Sequence, residues 1–243
     1  MNPALRETLT TALTLVVFGI IGSALLSGTF NLTRPSIAAS EQAEKLARIS
    51  ETLPAGSYDN DPVRDARPLP PDPLLGLRQP GQYYPAYKAG VPVAVVLEAI
   101  APDGYAGEIR LLVGIGADGR ITGVRVSAHK ETPGLGDYID AARSRWIRIF
   151  DGRGLGDPAD ELWKVRKDGG RFDYLAGATI TPRAVVKAVH RSLKYFDAHR
   201  DTLLSGPAQD RRQNDLIPPQ RDPDTRSDRP RPGDTAQPKE TDA

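Results

Sequence analysis

The longest apolar run of the chain lies near its amino terminus. Between Glu7 and Arg34 no charged residue interrupts 26 positions, and about 20 apolar residues suffice for a helix to cross the hydrocarbon core of a bilayer. Residues 1–34 are therefore predicted to be a membrane anchor. A cleaved secretory signal is the alternative, but the run is longer than a usual signal core and no small-x-small cleavage site follows it closely.

Residues 35–90 are predicted to be a helix followed by a proline-rich linker. The stretch 36–53 is rich in Ala, Glu, Lys and Leu and ends at Pro54, which predicts a helix above the anchor. Prolines then become dense up to residue 85, which disfavours regular structure. The alternating tyrosines at 83, 84 and 87 favour an edge strand, although tyrosine rings can also stack on a flat ligand.

The pattern changes to short β-rich segments after residue 90. Residues 91–100 predict a strand, and residues 108–116 and 121–129 predict a hairpin around Asp118-Gly119, a good turn signal. Alternation along 121–128 is consistent with one face on a core and one face in polar surroundings. These segments predict an antiparallel sheet in a domain spanning residues 91–203.

Helical and hairpin patterns complete this domain. Asp137 is a candidate cap for a helix that runs to about Phe150 and exposes its arginines; docking of an acidic partner is the alternative role for these cations. Residues 163–166 and 172–175 predict a second hairpin. A helix should start at Pro182, with Thr181 as its cap and with valines, Leu193 and Phe196 on one apolar face.

Composition limits the chemistry that the chain can perform alone. The formal charge of +1 gives no reason to expect a nucleic-acid partner. The chain has no cysteine, which excludes disulfides, thiolate metal sites and an iron–sulfur cluster on it. Its three histidines are scattered, so no metal site is predicted. From residue 204 to 243 the polar, Pro-rich composition predicts a disordered tail.

The most distinctive local feature is the small-residue turn before the last helix. Gly177 and Ala178 leave room for a ligand beside the helix start, where unpaired N–H groups and the positive end of the helix dipole favour a phosphate. Thr179 then lies beside a prepared anion site. The alternative is an ordinary strand-to-helix turn whose threonine bonds only locally.

The same residues resemble a known modification motif. Asp173, Gly177, Ala178 and Thr179 match the flavinylation pattern of FMN-binding domains, in which a flavin transferase esterifies FMN phosphate onto the last threonine. The family more often has serine or threonine at the position of Ala176. The resemblance implies one covalent FMN per chain, attached to Thr179 through a phosphoester.

Three further segments resemble the RnfG (RsxG) family, the G component of the Rnf, or Rsx, electron-transport complex. They are residues 99–107, 130–136 (KETPGLG) and 167–173 (KDGGRFD), and the likeness runs in order over residues 1 to about 200. These motifs favour this family over the related FMN-carrying C component of the sodium-translocating NADH:quinone reductase. The implied fold is α+β, with one transmembrane helix, then an FMN-binding domain of antiparallel sheet and flanking helices.

The resemblance and the small-residue turn together predict a cofactor site. No catalytic residues are predicted, since the chain has no glycine fingerprint of a dehydrogenase. The loop 131–136 consists of turn residues that can place backbone N–H groups against a ligand, and Thr132, Gly134, Leu135 and Gly136 are included from it. Lys167 is included because its charge can lie near a phosphate or a reduced flavin. The predicted cofactor-binding residues are Thr179, Asp173, Gly177, Ala178, Thr181, Thr132, Gly134, Leu135, Gly136 and Lys167.

The implied function is that of a redox carrier, because flavin exchanges electrons while the protein holds and tunes it. The resemblance implies electron transfer between ferredoxin and NAD coupled to ion translocation, other membrane and iron–sulfur subunits as partners, and a domain on the periplasmic side of the bacterial inner membrane. Three alternatives remain: a non-catalytic assembly or regulatory role without flavin, the equivalent FMN carrier of the quinone reductase, and a component of an Rsx-type complex that reduces a redox sensor.

Overall fold

A computed structural model describes residues 3–206, which form an α+β fold, as predicted. The predicted tail lies outside the described residues, apart from its first three positions. The three α-helices are α1 (Pro3–Ser50), α2 (Ile180–Ala198) and α3 (Arg200–Leu203). The five strands are β1 (Arg67–Leu69), β2 (Gly81–Lys88), β3 (Val91–Gly104), β4 (Gly107–Gly116) and β5 (Ile121–Ala128).

Helix α1 joins the predicted anchor and the predicted following helix into one element. Its segment Thr10–Phe30 has 21 residues and a mean hydropathy of 2.0, and none of it is buried within the described chain. At 1.5 Å per residue this segment is about 32 Å long, which matches the hydrocarbon core of a bilayer. Its length and composition suit a single-pass membrane anchor.

The sheet is antiparallel throughout, with the order β1-β2-β3-β4-β5. Strands β4 and β5 form the hairpin predicted around Asp118-Gly119, and Gly119 has the positive φ (84°) that the turn requires. The tyrosine-rich segment is strand β2, as predicted. It is not quite an edge, because the three-residue strand β1 pairs with its outer side.

Both faces of the sheet are covered. One face, including Tyr83, Val95 and Leu111, contributes to the main core with α2, whereas the other, including Tyr84 and Val96, packs against the end of α1. The residues alternate between faces along each strand, as the strand period of two demands. A sheet with one face in polar surroundings would need apolar residues only at every second position. Because both faces are covered here, β3 and β4 carry apolar residues at successive positions.

Helix α2 is the amphipathic helix that its spacing predicts. Val185, Val189 and Leu193 are buried in the main core, while Arg183 and Lys187 are exposed. The exposed and buried positions follow the 3.6-residue period. The helix therefore lies flat on the sheet, and its amino-terminal end is held at a fixed place beside the loops.

The helix predicted over residues 137–150 is wrong. Two short 3-10 helices, Asp137–Ile139 and Trp146–Phe150, occupy this stretch. The carboxylate of Asp140 accepts a hydrogen bond from the N–H of Ala142 at 2.9 Å, and Ser144 Oγ accepts one from the N–H of Trp146 at 2.9 Å. Such local side-chain acceptors compete with helical bonding and interrupt the helix. The arginines here are exposed, as predicted.

The hairpin predicted over residues 163–175 is also wrong. A 3-10 turn, Arg166–Asp168, reverses the chain, and Val165 and Phe172 form an isolated parallel bridge. This folding buries the rings of both Trp163 and Phe172, whose centroids are 4.8 Å apart. Aromatic burial here outweighs the regular pairing of a hairpin.

Candidate functional site

A short turn delivers the chain to the start of α2. The N–H of Ala178 donates to the carbonyl of Leu175 at 3.1 Å, and Gly177 has φ of 90°. The hydroxyl of Tyr138 accepts from the N–H of Leu175 at 3.2 Å and donates to the carbonyl of Ala178 at 3.4 Å. One phenol thus ties both ends of the turn together. Burial raises the pKa of Tyr138 above its ordinary value, so this hydroxyl remains a hydrogen-bond donor well above neutral pH.

Helix α2 begins at Ile180 with Thr179 at its cap position, so the prediction that Thr181 caps a helix starting at Pro182 is wrong. The carbonyl of Thr179 accepts the first helical bond, from Arg183 at 3.3 Å. Within residues 3–206, no acceptor lies against the backbone N–H groups of Thr179, Ile180 and Thr181. Thr179, the candidate attachment residue for FMN, therefore lies at the positive end of the helix, next to these N–H groups. It is closer to them than the sequence predicts.

The side chain of Thr181 has a different partner from the predicted cap. Its hydroxyl donates to Glu131 Oε2 at 2.6 Å, and both residues are buried. The other carboxylate oxygen accepts from the N–H of Ala106 at 3.1 Å. Because residues 106, 131 and 181 are far apart in sequence, this pair ties the β3–β4 turn to the first turn of α2.

The loop 132–136 uses its backbone donors internally. The N–H groups of Leu135 and Gly136 donate to the carbonyl of Thr132 at 3.1 and 3.0 Å, and the N–H of Gly134 donates to Asp137 Oδ1 at 2.8 Å. These three N–H groups are engaged within the loop rather than free for a ligand. What the loop offers a ligand is the side chains of Thr132 and Leu135.

These elements enclose a pocket of about 380 Å³, a size typical of small-molecule sites. Ten residues line it: Tyr105, Glu131, Thr132, Leu135, Gly136, Gly177, Ala178, Thr179, Ile180 and Thr181. Seven of them belong to the predicted site, and they come from the loop at 132–136 and the turn at 177–181. Segments more than 40 positions apart therefore meet in one cavity.

Three lining residues were not predicted: Tyr105, Glu131 and Ile180. Tyr105 and Glu131 lie inside segments whose resemblance to a known family is visible in the sequence, and that is the signal that could have found them. Ile180 directly follows Thr179 and is 46% exposed. An exposed large apolar side chain at a helix start is the feature that marks it.

Three predicted residues lie outside the pocket lining. Asp173 forms an ion pair with Arg166 at 2.9 Å, and its carbonyl accepts from the indole of Trp146 at 2.7 Å. Lys167 is exposed in the 3-10 turn. Gly134 is exposed in the loop, with φ of 76°. The structure thus places Asp173 where its backbone anchors the segment that leads to the turn.

Ion pairs hold the exposed side of α2 next to the pocket. Arg183, in the first turn, pairs with Asp168 at 2.5 Å, and Lys187 pairs with Asp103 at 2.7 Å. Hydrogen bonds from these cations hold the pKa of each carboxyl below its usual range. The positive charge of Arg183 is therefore paired with Asp168 in the 166–168 turn.

The arrangement has the features of a site for a phosphate-bearing ligand. It combines a hydroxyl, free N–H donors and a helix dipole at the start of α2 with an apolar rim formed by the exposed side chains of Tyr105, Leu135 and Ile180. The donors suit an anion and the rim suits a flat ring system. The residues present therefore fit a flavin mononucleotide.

Comparison with known proteins agrees with this geometry. A family model described as an FMN-binding domain matches residues 104–194, which include every residue of the pocket, and a model described as the RnfG N-terminal region matches residues 1–51. The second match coincides with helix α1. The first begins in β3 and ends within α2, so it contains neither β1 nor β2.

Similar proteins include three that are named as the G subunit of an ion-translocating oxidoreductase complex. The one from Pseudomonas aeruginosa is 52% identical over 200 residues, covering 82% of this chain and 94% of the relative. Those from Vibrio cholerae (45% over 207 residues, 85% and 97%) and Aliivibrio fischeri (41% over 196 residues, 81% and 93%) are also similar over nearly their whole length. The chain therefore belongs to the RnfG family, the G subunits of ion-translocating oxidoreductase complexes, and carries the FMN-binding domain of that family.

Proposed function

We propose that this chain is a membrane-anchored electron carrier of an Rnf-type complex, with one FMN attached covalently to Thr179 through a phosphoester. The observation that carries the proposal is the position of Thr179. This residue occupies the N-cap position of α2 without a capping hydrogen bond from its side chain, lines the pocket, and is the first of three successive residues whose backbone N–H groups have no acceptor within the described residues. Membership of the family supports FMN as the cofactor, and the geometry of the pocket supports Thr179 as the residue to which it is attached.

Attachment requires a defined group transfer. The Thr179 hydroxyl oxygen attacks the FMN-side phosphorus of FAD, the pyrophosphate bond breaks, AMP leaves, and the hydroxyl proton passes to a base. Threonine is a weak nucleophile without a base and a metal. We assign both to a separate flavin transferase that uses magnesium, since this chain needs only to present the hydroxyl. Free N–H groups at the start of α2 would then hold the phosphate oxygens.

The rim of the pocket supports a carrier rather than a closed catalytic site. Tyr105 is 69% exposed, Leu135 50% and Ile180 46%. A ring held among these side chains stays accessible to a partner, which electron transfer between subunits requires. The flavin would supply the one- and two-electron chemistry. The side chains of this pocket would orient the ring, and covalent attachment would retain it.

The complex supplies the remaining partners. We propose iron–sulfur and further membrane subunits as electron donors and acceptors, because this chain has no cysteine for a cluster of its own. The complex would couple electron flow between ferredoxin and NAD to ion movement. The domain would lie on the periplasmic side, with the amino terminus in the cytoplasm.

Replacing Thr179 tests the carrier role against the alternative of an assembly role without flavin. Ala176, where the family more often has a hydroxyl residue, is the observation that favours that alternative. In cells that express the complex, Thr179→Ala should abolish covalent flavin in this protein and electron transport, while the chain still assembles. Thr202→Ala, which removes an exposed hydroxyl on α3 away from the pocket lining, is the control and should keep covalent flavin. Unchanged electron transport in Thr179→Ala would favour the assembly role.

Orientation is tested by single cysteines, since the chain has none. Glu161→Cys places a thiol on the exposed surface of the domain, and Pro3→Cys places one before the apolar segment. With the outer membrane permeabilised, a membrane-impermeant maleimide should label only Glu161→Cys. The reverse pattern would place the domain in the cytoplasm.

A further inference from the structure

Glu131 is a buried carboxylate at the wall of the pocket. It is 4% exposed and accepts two hydrogen bonds, from the hydroxyl of Thr181 at 2.6 Å and from the N–H of Ala106 at 3.1 Å. Among the described residues, no lysine or arginine forms an ion pair with it. A buried carboxylate costs much free energy unless it is well bonded, so its partners are fixed rather than incidental.

Two glycines lie next to this carboxylate. An ideal Cβ on Gly136 would lie 2.6 Å from Glu131 Oε2 and 3.1 Å from Thr181 Oγ1. An ideal Cβ on Gly104 would clash with the carbonyl oxygen of Gly107 and lie 2.9 Å from Glu131 Oε1. A side chain at Gly136 would therefore displace the carboxylate, whereas one at Gly104 would first meet the backbone of β4. Gly136 thus leaves the space that the carboxylate of Glu131 occupies.

The hydrogen bonds of Glu131 connect the parts that form the pocket. Ala106 lies in the β3–β4 turn, Glu131 itself starts the 131–136 loop, and Thr181 lies in the first turn of α2. Thr181 is two residues after Thr179, within the same helical turn. A shift of Thr181 would therefore move the Thr179 hydroxyl relative to the loop across the pocket.

We propose that Glu131 is a positioning residue that acts through Thr181 to hold the Thr179 hydroxyl in the orientation needed for flavin attachment. The role rests on the proposed attachment of FMN to Thr179. Glu131 does not take the hydroxyl proton of Thr179. Its two hydrogen bonds instead fix the start of α2 against the β3–β4 turn, which sets the direction in which Thr179 faces the pocket.

The test compares variants that keep the shape of Thr181 with variants that keep its hydroxyl. Thr181→Val preserves the branched side chain but removes the donor, whereas Thr181→Ser keeps the donor. The full-length chain in detergent is incubated with a flavin transferase, FAD and Mg²⁺, and the initial rate of FMN addition is followed by intact mass. The melting temperature of the same flavin-free samples is measured in parallel.

Ser192→Ala is the matched control, because Ser192 is another fully buried hydroxyl on α2, bonded to the carbonyl of Ala188 at 3.0 Å. We expect Thr181→Val to slow attachment about tenfold to a hundredfold, as small misplacements of a reacting group do. Thr181→Ser should attach FMN within about threefold of the wild-type rate. Ser192→Ala should attach FMN at the wild-type rate even if its melting temperature is lower.

A second comparison isolates the carboxylate. Glu131→Gln should also slow attachment, because its single amide oxygen cannot replace both carboxylate oxygens, so either Thr181 or Ala106 loses its acceptor. The double variant with Thr181→Val should be slowed by less than the product of the two single effects, since the two changes share the contact between Glu131 and Thr181. Thr181→Val attaching flavin at the wild-type rate would overturn the positioning role while leaving the attachment site intact. A wild-type chain that takes no flavin would overturn the proposed function and this role with it.

Discussion

Replacing Gly177 by alanine tests whether the turn before α2 shapes the acceptor site. Gly177 has φ of 90°, in the left-handed region that residues with a Cβ avoid, and a Cβ built there meets no atom within 4 Å. The cost of Gly177→Ala is therefore a backbone cost, about 1–2 kcal/mol, rather than a clash. If the turn relaxes to relieve it, the Ala178 and Thr179 backbone must rotate.

Gly90→Ala is the control for this prediction. Gly90, in the turn between β2 and β3, has φ of 76° and also meets no atom within 4 Å. Both variants should lose a similar free energy of unfolding, which lowers the melting temperature by about 2–8 °C for a domain of this size. Only Gly177→Ala should also slow FMN attachment, because only Gly177 lines the pocket.

The assay measures melting by circular dichroism and FMN addition by intact mass on the same preparations. Equal rates of attachment in Gly177→Ala and Gly90→Ala, at equal loss of stability, would refute the reasoning. That result would mean that the transferase tolerates a displaced turn. The positive φ of Gly177 would then serve folding alone.

Three further predictions concern the surroundings of the pocket. Tyr138→Phe keeps the aromatic ring against Trp146 but removes the hydroxyl that ties the turn, so it should cost about 1 kcal/mol of stability and slow FMN attachment measurably by mass. Burial lowers the pKa of His190 below its ordinary value of 6.5, so the unfolded chain binds more protons than the folded chain. The free energy of unfolding should therefore fall as the pH drops below about 6.5. His190→Gln should reduce this pH dependence in melting curves recorded between about pH 5 and 8. Phe150→Ala empties a fully buried position and should cost about 3–5 kcal/mol in chemical denaturation; a loss below about 1 kcal/mol would contradict the core assignment.

Local sequence patterns predicted the elements that have a strong local signal, such as a long apolar run, a turn dipeptide or a regular spacing of apolar residues. The anchor in α1 follows from the length of its apolar run, the hairpin from the Asp118-Gly119 turn signal, and the amphipathic face of α2 from the spacing of its apolar residues. Residues 137–150 also have helical spacing, but the acceptor side chains of Asp140 and Ser144 bind nearby N–H groups and break the helix. Spacing does not record that competition.

The site was partly predictable for a similar reason. A glycine turn before a helix is visible in the sequence, and so is the family motif around Thr179. The pairing of Glu131 with Thr181 joins residues 50 positions apart, and no local pattern predicts it. A glutamate in a polar loop is ordinarily exposed, so its burial required the fold to be known.

The most direct test of the central claim is the mass of the mature chain. The full-length protein, co-expressed with a flavin transferase, is denatured, weighed intact and digested to find the modified peptide. The account predicts the added mass of one FMN less one water, on the peptide that contains Thr179, and no addition in Thr179→Ala. An unmodified chain, with the transferase shown to be active on another substrate, would contradict it, as would FMN attached at a different residue.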